Sequence, residues 1–382
     1  MSADIRDIIR QLAKIRLDEG LIMSLYLDLS PDPKGQRHYQ SFMKKRFSEL
    51  EKQYPPRSPL HGYLTTNIRE INRYLKEELD SRSRGLALFI SQSKRFFSAI
   101  QTAIPFENRV AVSRLPYVYP LVRMADDFAS YGVMISDEWR ARLVRVNLGQ
   151  VVEQADILTE ADEVSAKGYQ TRKGRLGWSD EKHQRHLKDI IAKHIKSVVA
   201  ESRKFFGRDV SCLLLSADNL ALAEINRQLP AELKGKVVAT PKFDMKTPMK
   251  KVLEESLKIY KERENQDSLK LARQAVVLGT GKGGRAVVGT EATLDALQGG
   301  QAETLVISEQ YRDQGWKCRG CLHLGSGGKA AKCPFCRHPD VAGDIDMKEE
   351  MVEAAIRRGA RVEFYSGPSE LDRYGRVGAL LR

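Results

Sequence analysis

The 382-residue chain has no run of about 18 apolar residues, which excludes a conventional membrane-spanning helix. Its opening, MSADIRDIIRQL, lacks the apolar core of a secretory signal, so the expectation is a soluble, cytoplasmic protein with no membrane partner. Cysteine is scarce, at five residues, and is not scattered as a disulfide framework would scatter it. No repeat of roughly 20 to 50 residues is visible, which argues against solenoids and propellers, and no extended low-complexity tract occurs. A nucleophile elbow, a zincin motif and a separated pair of carboxylates are all missing, and with them the usual local signatures of hydrolytic enzymes.

What is present is positive charge. Against 50 acidic side chains stand 63 basic ones, a formal net charge of +13, which favours a polyanionic partner without specifying a fold. The charge is conspicuous in SAKGYQTRKGRLGW (165–178), where Lys167, Arg172, Lys173 and Arg175 alternate with Gly168, Gly174 and Gly177, alongside Tyr169 and Trp178. Glycine lets a backbone approach closely, basic side chains suit phosphates and aromatic rings suit unstacked bases, so this loop points to nucleic acid. An ordinary solvated loop fits the same composition. A long helix follows, with Ser179 as N-cap, Asp180 and Glu181 in its first turn, and Leu187, Ile190, Ile191, Ile195, Val198 and Val199 on a core face.

Around this pair the pattern is mixed α/β. Asp4 to Lys14 reads as an amphipathic helix and residues 21 to 30 as a strand. Helices from about His38 to Gln53 and Thr65 to Leu79 form an αα-hairpin broken at YPPRSP, with Arg57 and His61 at its tip. GLALFIS, FFSAIQ and VAVS read as strands and PYVYPLVRMADDF as a closing helix, giving a first α/β domain over 1–129. A β-meander starting at YGVMIS, the basic loop, the long helix and a helix from Met249 to about Glu264 make a middle domain, 130–269, which ends in the polar segment ENQDS. The third domain, 270–382, begins its regular pattern with a helix capped by Thr290 and the strand ETLVIS, and closes with a helix, ARVEFYS and VGALLR.

Within that third domain, Cys318, Cys321, Cys333 and Cys336 form two C-x2-C pairs. Each pair closes a turn that aims two thiolates at one ion, and two turns complete a tetrahedron, so a structural Zn2+ ribbon is expected over 316–338. An iron–sulfur cluster or a lapsed site fits the spacing less well. Four cysteines exclude a water ligand, so the metal has no catalytic role. Cys212 stands alone in an apolar run and reads as a buried thiol. Gly279, Gly281 and Gly284 spell G-x-G-x-x-G but precede a strand-like RAVVG, which removes the helix N-terminus that a phosphate site needs. Gly299, Gly300 and Gln301 sit between a helix and a buried strand and read as a C-cap and turn. His183 and His186 lack a third ligand and read as surface or RNA-facing groups.

In this order the segments resemble the archaeal and eukaryotic class I release factor and Pelota family, in its bacterial branch. YGVMISDEWRARLVRVNLG resembles the start of that family's middle domain and GTEATLDALQGGQAETLVISE the start of its C-terminal domain. The two cysteine pairs resemble the zinc insertion of archaeal members, and GARVEFYSGPSELDRYGRVGALLR resembles the family's ending. The resemblance implies a three-domain α/β architecture with a zinc ribbon inserted in the C-terminal domain, in a monomer. Two departures bear on function. Where the family carries the GGQ that hydrolyses peptidyl-tRNA, this chain has GYQTRKGRLGW, and where stop-codon readers carry an NIKS-type tip it has YPPRSPLHGY.

The resemblance therefore implies a non-enzymatic factor that fills the vacant A site of idle or stalled ribosomes, as hibernation factors of the bacterial branch do beside elongation factor Tu. Arg57 and His61 would lie at the decoding centre on 16S rRNA. Lys167, Arg172, Lys173, Arg175 and Trp178 would reach toward the peptidyl transferase centre, with Lys182, Arg185 and His186 on 23S rRNA phosphates, and the C-terminal domain would face a translational GTPase. The competing expectation is a rescue factor that hydrolyses peptidyl-tRNA through this loop, where Gln170 is the single glutamine.

Overall fold

The computed structural model describes residues 5–128, 130–158, 180–207, 210–281, 283–328 and 330–382, and the side chains within these spans except those of 180–187. Helix α1 (Ile5–Ala13) buries Ile5, Ile9 and Leu12, which recur at helical spacing. Strands β1 (Ile22–Asp28), β2 (Gly85–Ser91), β3 (Phe96–Thr102) and β4 (Arg109–Ser113) form an antiparallel sheet in the order β3-β2-β1-β4. Between β1 and β2 the chain makes the αα-hairpin of α2 (Tyr39–Gln53) and α3 (His61–Glu77). Met43, Phe47 and Leu50 of α2 and Leu64 and Ile71 of α3 pack on Leu25, Leu27, Leu86 and Leu88. Pro55, Pro56 and Pro59 fall in the connection, as proline's lack of an N–H donor requires. Helix α4 (Tyr119–Asp127) closes this part.

The next segment builds a five-stranded sheet. Strands β5 (Tyr131–Ser136), β6 (Arg140–Asn147) and β7 (Gln150–Leu158) are the meander, and β8 (Cys212–Ala217) and β9 (Val237–Ala239) run parallel to β5, in the order β7-β6-β5-β8-β9. Helices α5 (Asp180–Phe206), α6 (Asn219–Gln228), α7 (Ala231–Lys234) and α8 (Met249–Thr280) flank it. Side chains alternate between the two faces. Met134, Leu143, Leu213 and Leu215 meet Ile191, Ile195 and Val198 of α5, while Val133, Val144 and Leu214 meet Val252 and Tyr260 of α8. Gly132 is needed for this closeness, since a Cβ there would lie 2.7 Å from the Phe206 ring.

The last segment holds β10 (Ala286–Val288), α9 (Thr290–Gln298), β11 (Ala302–Ser308), β12 (Gln314–Cys318), β13 (Leu324–Ser326), β14 (Val341–Asp346), α10 (Met347–Arg357), β15 (Arg361–Tyr365) and β16 (Val377–Leu381). One mixed sheet runs β10-β16-β11-β15, and the three strands of the cysteine insertion form their own sheet, β13-β12-β14. By compactness the chain divides into two units. One joins the residues up to Asp127 to Glu264–Arg382, and the other is Phe128–Arg263.

Two expectations from sequence are corrected. The polar stretch after Glu264 does not end a helix, because α8 runs on unbroken for 32 residues. Polarity is no helix breaker without glycine or proline, and Asn265, which could compete for the helix backbone, instead bonds Ser366 N at 2.7 Å and Ser366 O at 3.0 Å. Thr290 is the first helical residue and not the cap; its hydroxyl donates to Asp313 at 2.8 Å, and the cap position is Gly289 at φ 92°. His194 is a fully buried core residue of α5.

Candidate metal centre

The four cysteines converge. Their sulfurs all lie within 4.8 Å of one another, with Cys318 to Cys336 at 3.5 Å and Cys321 to Cys333 at 3.6 Å. A tetrahedron of thiolates about 2.3 Å from a central ion has edges of about 3.8 Å, so the group fits one ion. These separations also exceed the disulfide length of about 2.05 Å.

The fit follows from local backbone. Leu322 N donates to Cys318 O at 2.9 Å and Cys318 N to His323 O at 2.8 Å; Arg337 N donates to Cys333 O at 2.9 Å and Cys333 N to His338 O at 3.0 Å. The two turns are the same turn. Each follows the pattern C-x2-C-x-H, CRGCLH and CPFCRH, a repeat that the cysteine spacing alone does not express. Trp316, Cys318, Cys333 and Val341 form a small core under the site, while Cys321 and Cys336 are exposed. Gly325 is required here, since a Cβ would sit 2.3 Å from the Trp316 ring.

Thiol acidity in the cluster is uneven. Desolvation, relieved in part by the His323 N–H and reinforced by the other thiols, pushes Cys321 up to about 12. At Cys333 desolvation is outweighed by the N–H groups of Cys336 and Phe335, which bring it down to about 6. A metal cation supplies the charge needed to ionise all four.

The insertion is pinned to the unit that carries it. Lys317 Nζ donates to Glu350 Oε2 at 2.6 Å, with both side chains mostly buried. Helix α10 reaches the other way as well: Glu349 takes a bidentate pair from Arg109 at 2.6 and 2.9 Å, and Glu353 accepts from Val118 N at 3.1 Å. Burial first, and then the charge of Glu350, push Glu353 up to about 7 against the pull of Lys317 and Arg357.

The residues expected to meet RNA fall differently. Arg57 is exposed at the hairpin tip, and His61, half-buried, is tied through Nδ1 to Tyr54 O at 2.8 Å. Lys182, Arg185 and His186 belong to the first turns of α5, with side chains outside the described residues. Lys167, Arg172, Lys173, Arg175 and Trp178, together with Gln170 and Ser179, lie outside the described residues altogether. The GGQ tripeptide is a helix terminus: Gly299 N donates to Asp295 O, Gly300 N to Leu297 O and Gln301 N to Ala296 O, at 2.7, 3.1 and 2.9 Å.

Residues 116–260 match the family model described as Bacterial archaeo-eukaryotic release factor family 10. Among solved structures it is similar to archaeal Pelota in its ribosome-bound form with ABCE1, at 12% identity over 100% of this chain and 95% of that one, TM-score 0.39. Archaeoglobus fulgidus Pelota matches at 13% identity over 78% of each chain, TM-score 0.36. S. cerevisiae Dom34, a translation termination-like factor in RNA quality control that interacts with Hbs1, matches at 11% over 82% of this chain and 93% of its own, TM-score 0.35. No curated protein matches the chain.

Proposed function

We propose that this release-factor-like, Pelota-like protein binds ribosomes whose A site is vacant, idle or stalled, and holds them without releasing a peptide. The observation that carries this reading is the place of its one GGQ tripeptide. In the family resemblance, release chemistry belongs to a GGQ at the loop before the long middle-domain helix. Here Gly299-Gly300-Gln301 is committed to the end of α9 and the entry to β11, with Arg382 N donating to Gln301 O at 3.0 Å. Ahead of and into α5 the chain carries instead seven Lys and Arg against two acids over residues 167–188. That composition suits rRNA phosphates, and counterion release makes such binding fall steeply with salt.

In this reading Arg57 and His61 face the decoding centre, Lys167 to Trp178 approach the peptidyl transferase centre, and Lys182, Arg185 and His186 contact 23S rRNA. The C-terminal segment meets a translational GTPase such as elongation factor Tu. The four cysteines hold a structural Zn2+, because four thiolates leave no open position for substrate or water.

The test has two readouts on one sample, stalled ribosome–nascent chain complexes. Co-sedimentation should be strong at low potassium and lost at high potassium, and the peptidyl-tRNA should stay intact. Equal pelleting at both salt concentrations, or none at either, contradicts the electrostatic reading. Peptide release that disappears in Gln170→Ala establishes the hydrolytic alternative.

A further inference from the structure

Beside the metal centre lies a cavity of about 530 Å³, within the range of about 300 to 1,000 Å³ typical of small-ligand sites. Its wall is assembled from the segment after α1, the first cysteine turn, Phe335 of the second turn and the end of α10. Four cations line it, Lys14, Arg16, Arg357 and Arg358, and no carboxylate does. Arg357 is committed to Glu353 at 3.2 Å. Among the described residues no ion pair engages Lys14, Arg16 or Arg358; Arg16 donates only to Gly320 O at 3.3 Å.

Against this charge stands a planar apolar surface. The rings of His323 and Phe335 lie with centroids 3.4 Å apart and planes 35° apart, and Phe335 remains 67% exposed. A ring held in a tilted contact with a neighbour and otherwise largely exposed is a platform for a second planar group, and burying it there recovers the cost of leaving it in water. Phosphate alone would use the cations and ignore the ring; an apolar ligand would use the ring and ignore the cations. A nucleotide uses both, with its base on an aromatic face and its phosphate on arginine.

We infer that this cavity binds a nucleotide, its base stacked on Phe335 and its phosphate held by Arg16, Lys14 and Arg358. The site goes beyond the A-site reading and does not need it, since every lining residue belongs to the unit outside Phe128–Arg263.

The ligand is a nucleotide of an RNA strand or a free mononucleotide, and one experiment separates these sources. Zinc-loaded full-length protein is irradiated with a 4-thiouridine-containing trinucleotide, and crosslinks are mapped by mass spectrometry. Crosslinks should concentrate at residues 320–337. Phe335→Ala, at a side chain exposed enough to leave folding unchanged, should lower their yield at least about fivefold through loss of the stacking face, and Arg16→Ala/Arg358→Ala at least about tenfold through loss of the phosphate contacts. Zinc content and thermal midpoint of both variants should equal those of the parent. Competition by UMP as effective as competition by oligouridylate identifies a free nucleotide; a large advantage for the oligomer identifies RNA. Crosslinks confined to other segments, yields unmoved in both variants, or polyglutamate competing as well as the oligomer would overturn the inference. Failure of ribosome binding with these crosslinks intact would sink the A-site reading alone.

Discussion

Leu322 and Arg337, fifteen positions apart, hold the same left-handed backbone conformation, with φ of 66° and 60°, each directly after the second cysteine of its pair. Non-glycine residues pay about 1–2 kcal/mol to sit there, and the cost is offset by the backbone hydrogen bonds that close the two turns, Leu322 N to Cys318 O and Arg337 N to Cys333 O.

Arg337 is exposed, so its backbone role can be tested apart from packing. Arg337→Gly should leave zinc affinity and thermal stability within about 0.5 kcal/mol of the parent, since relief of strain offsets the added chain entropy. Arg337→Val, β-branched at positive φ, should cost about 1–3 kcal/mol. Zinc competition with a chromogenic chelator and differential scanning calorimetry read both quantities; equal behaviour of the two variants would show that the turn is not the constraint.

Lys317 and Glu350 join the cysteine-bearing sheet to α10 at 2.6 Å. Lys317→Met should destabilise by about 2–4 kcal/mol, because it leaves Glu350 mostly buried without its cation. Lys317→Met/Glu350→Leu should recover most of the loss, as replacing both partners by apolar groups removes the stranded charge. Urea unfolding of the two single variants and the double variant gives the coupling.

Glu353 has its folded pKa raised to about 7 from 4.5, so its charged form is penalised in the folded state above pH 7 and the penalty fades as pH falls toward 4.5. In Glu353→Gln this dependence is absent. Between pH 8 and pH 5 the parent should therefore gain about 2–3 kcal/mol of unfolding free energy relative to the variant. Urea titrations at the two pH values measure the difference; a constant gap contradicts the assignment.

Much of this was legible in the sequence because the relevant signals are local. The meander of β5, β6 and β7 follows from alternation and turns at Asp137 and Gly149, and the convergence of the four cysteines follows from their spacing. Less legible were features set by distant partners. Asn265 looks like a helix terminator until Ser366 is seen to take its side chain, and Thr290 looks like a cap until Asp313 claims its hydroxyl. The strands Gln314–Cys318 and Leu324–Ser326 are short and glycine-bearing, so periodicity could not reveal them. The cavity was beyond reach because Arg16, Phe335 and Arg358 come together only in three dimensions.

The central claim is occupancy of an empty A site by a body that lacks release chemistry. A cryo-EM map of the protein added to stalled ribosome–nascent chain complexes tests it most directly. The account predicts density filling the A site, with residues 167–178 pointing to the peptidyl transferase centre and the nascent chain still joined to P-site tRNA. Density elsewhere on the particle, or a deacylated P-site tRNA beside this protein, would contradict it.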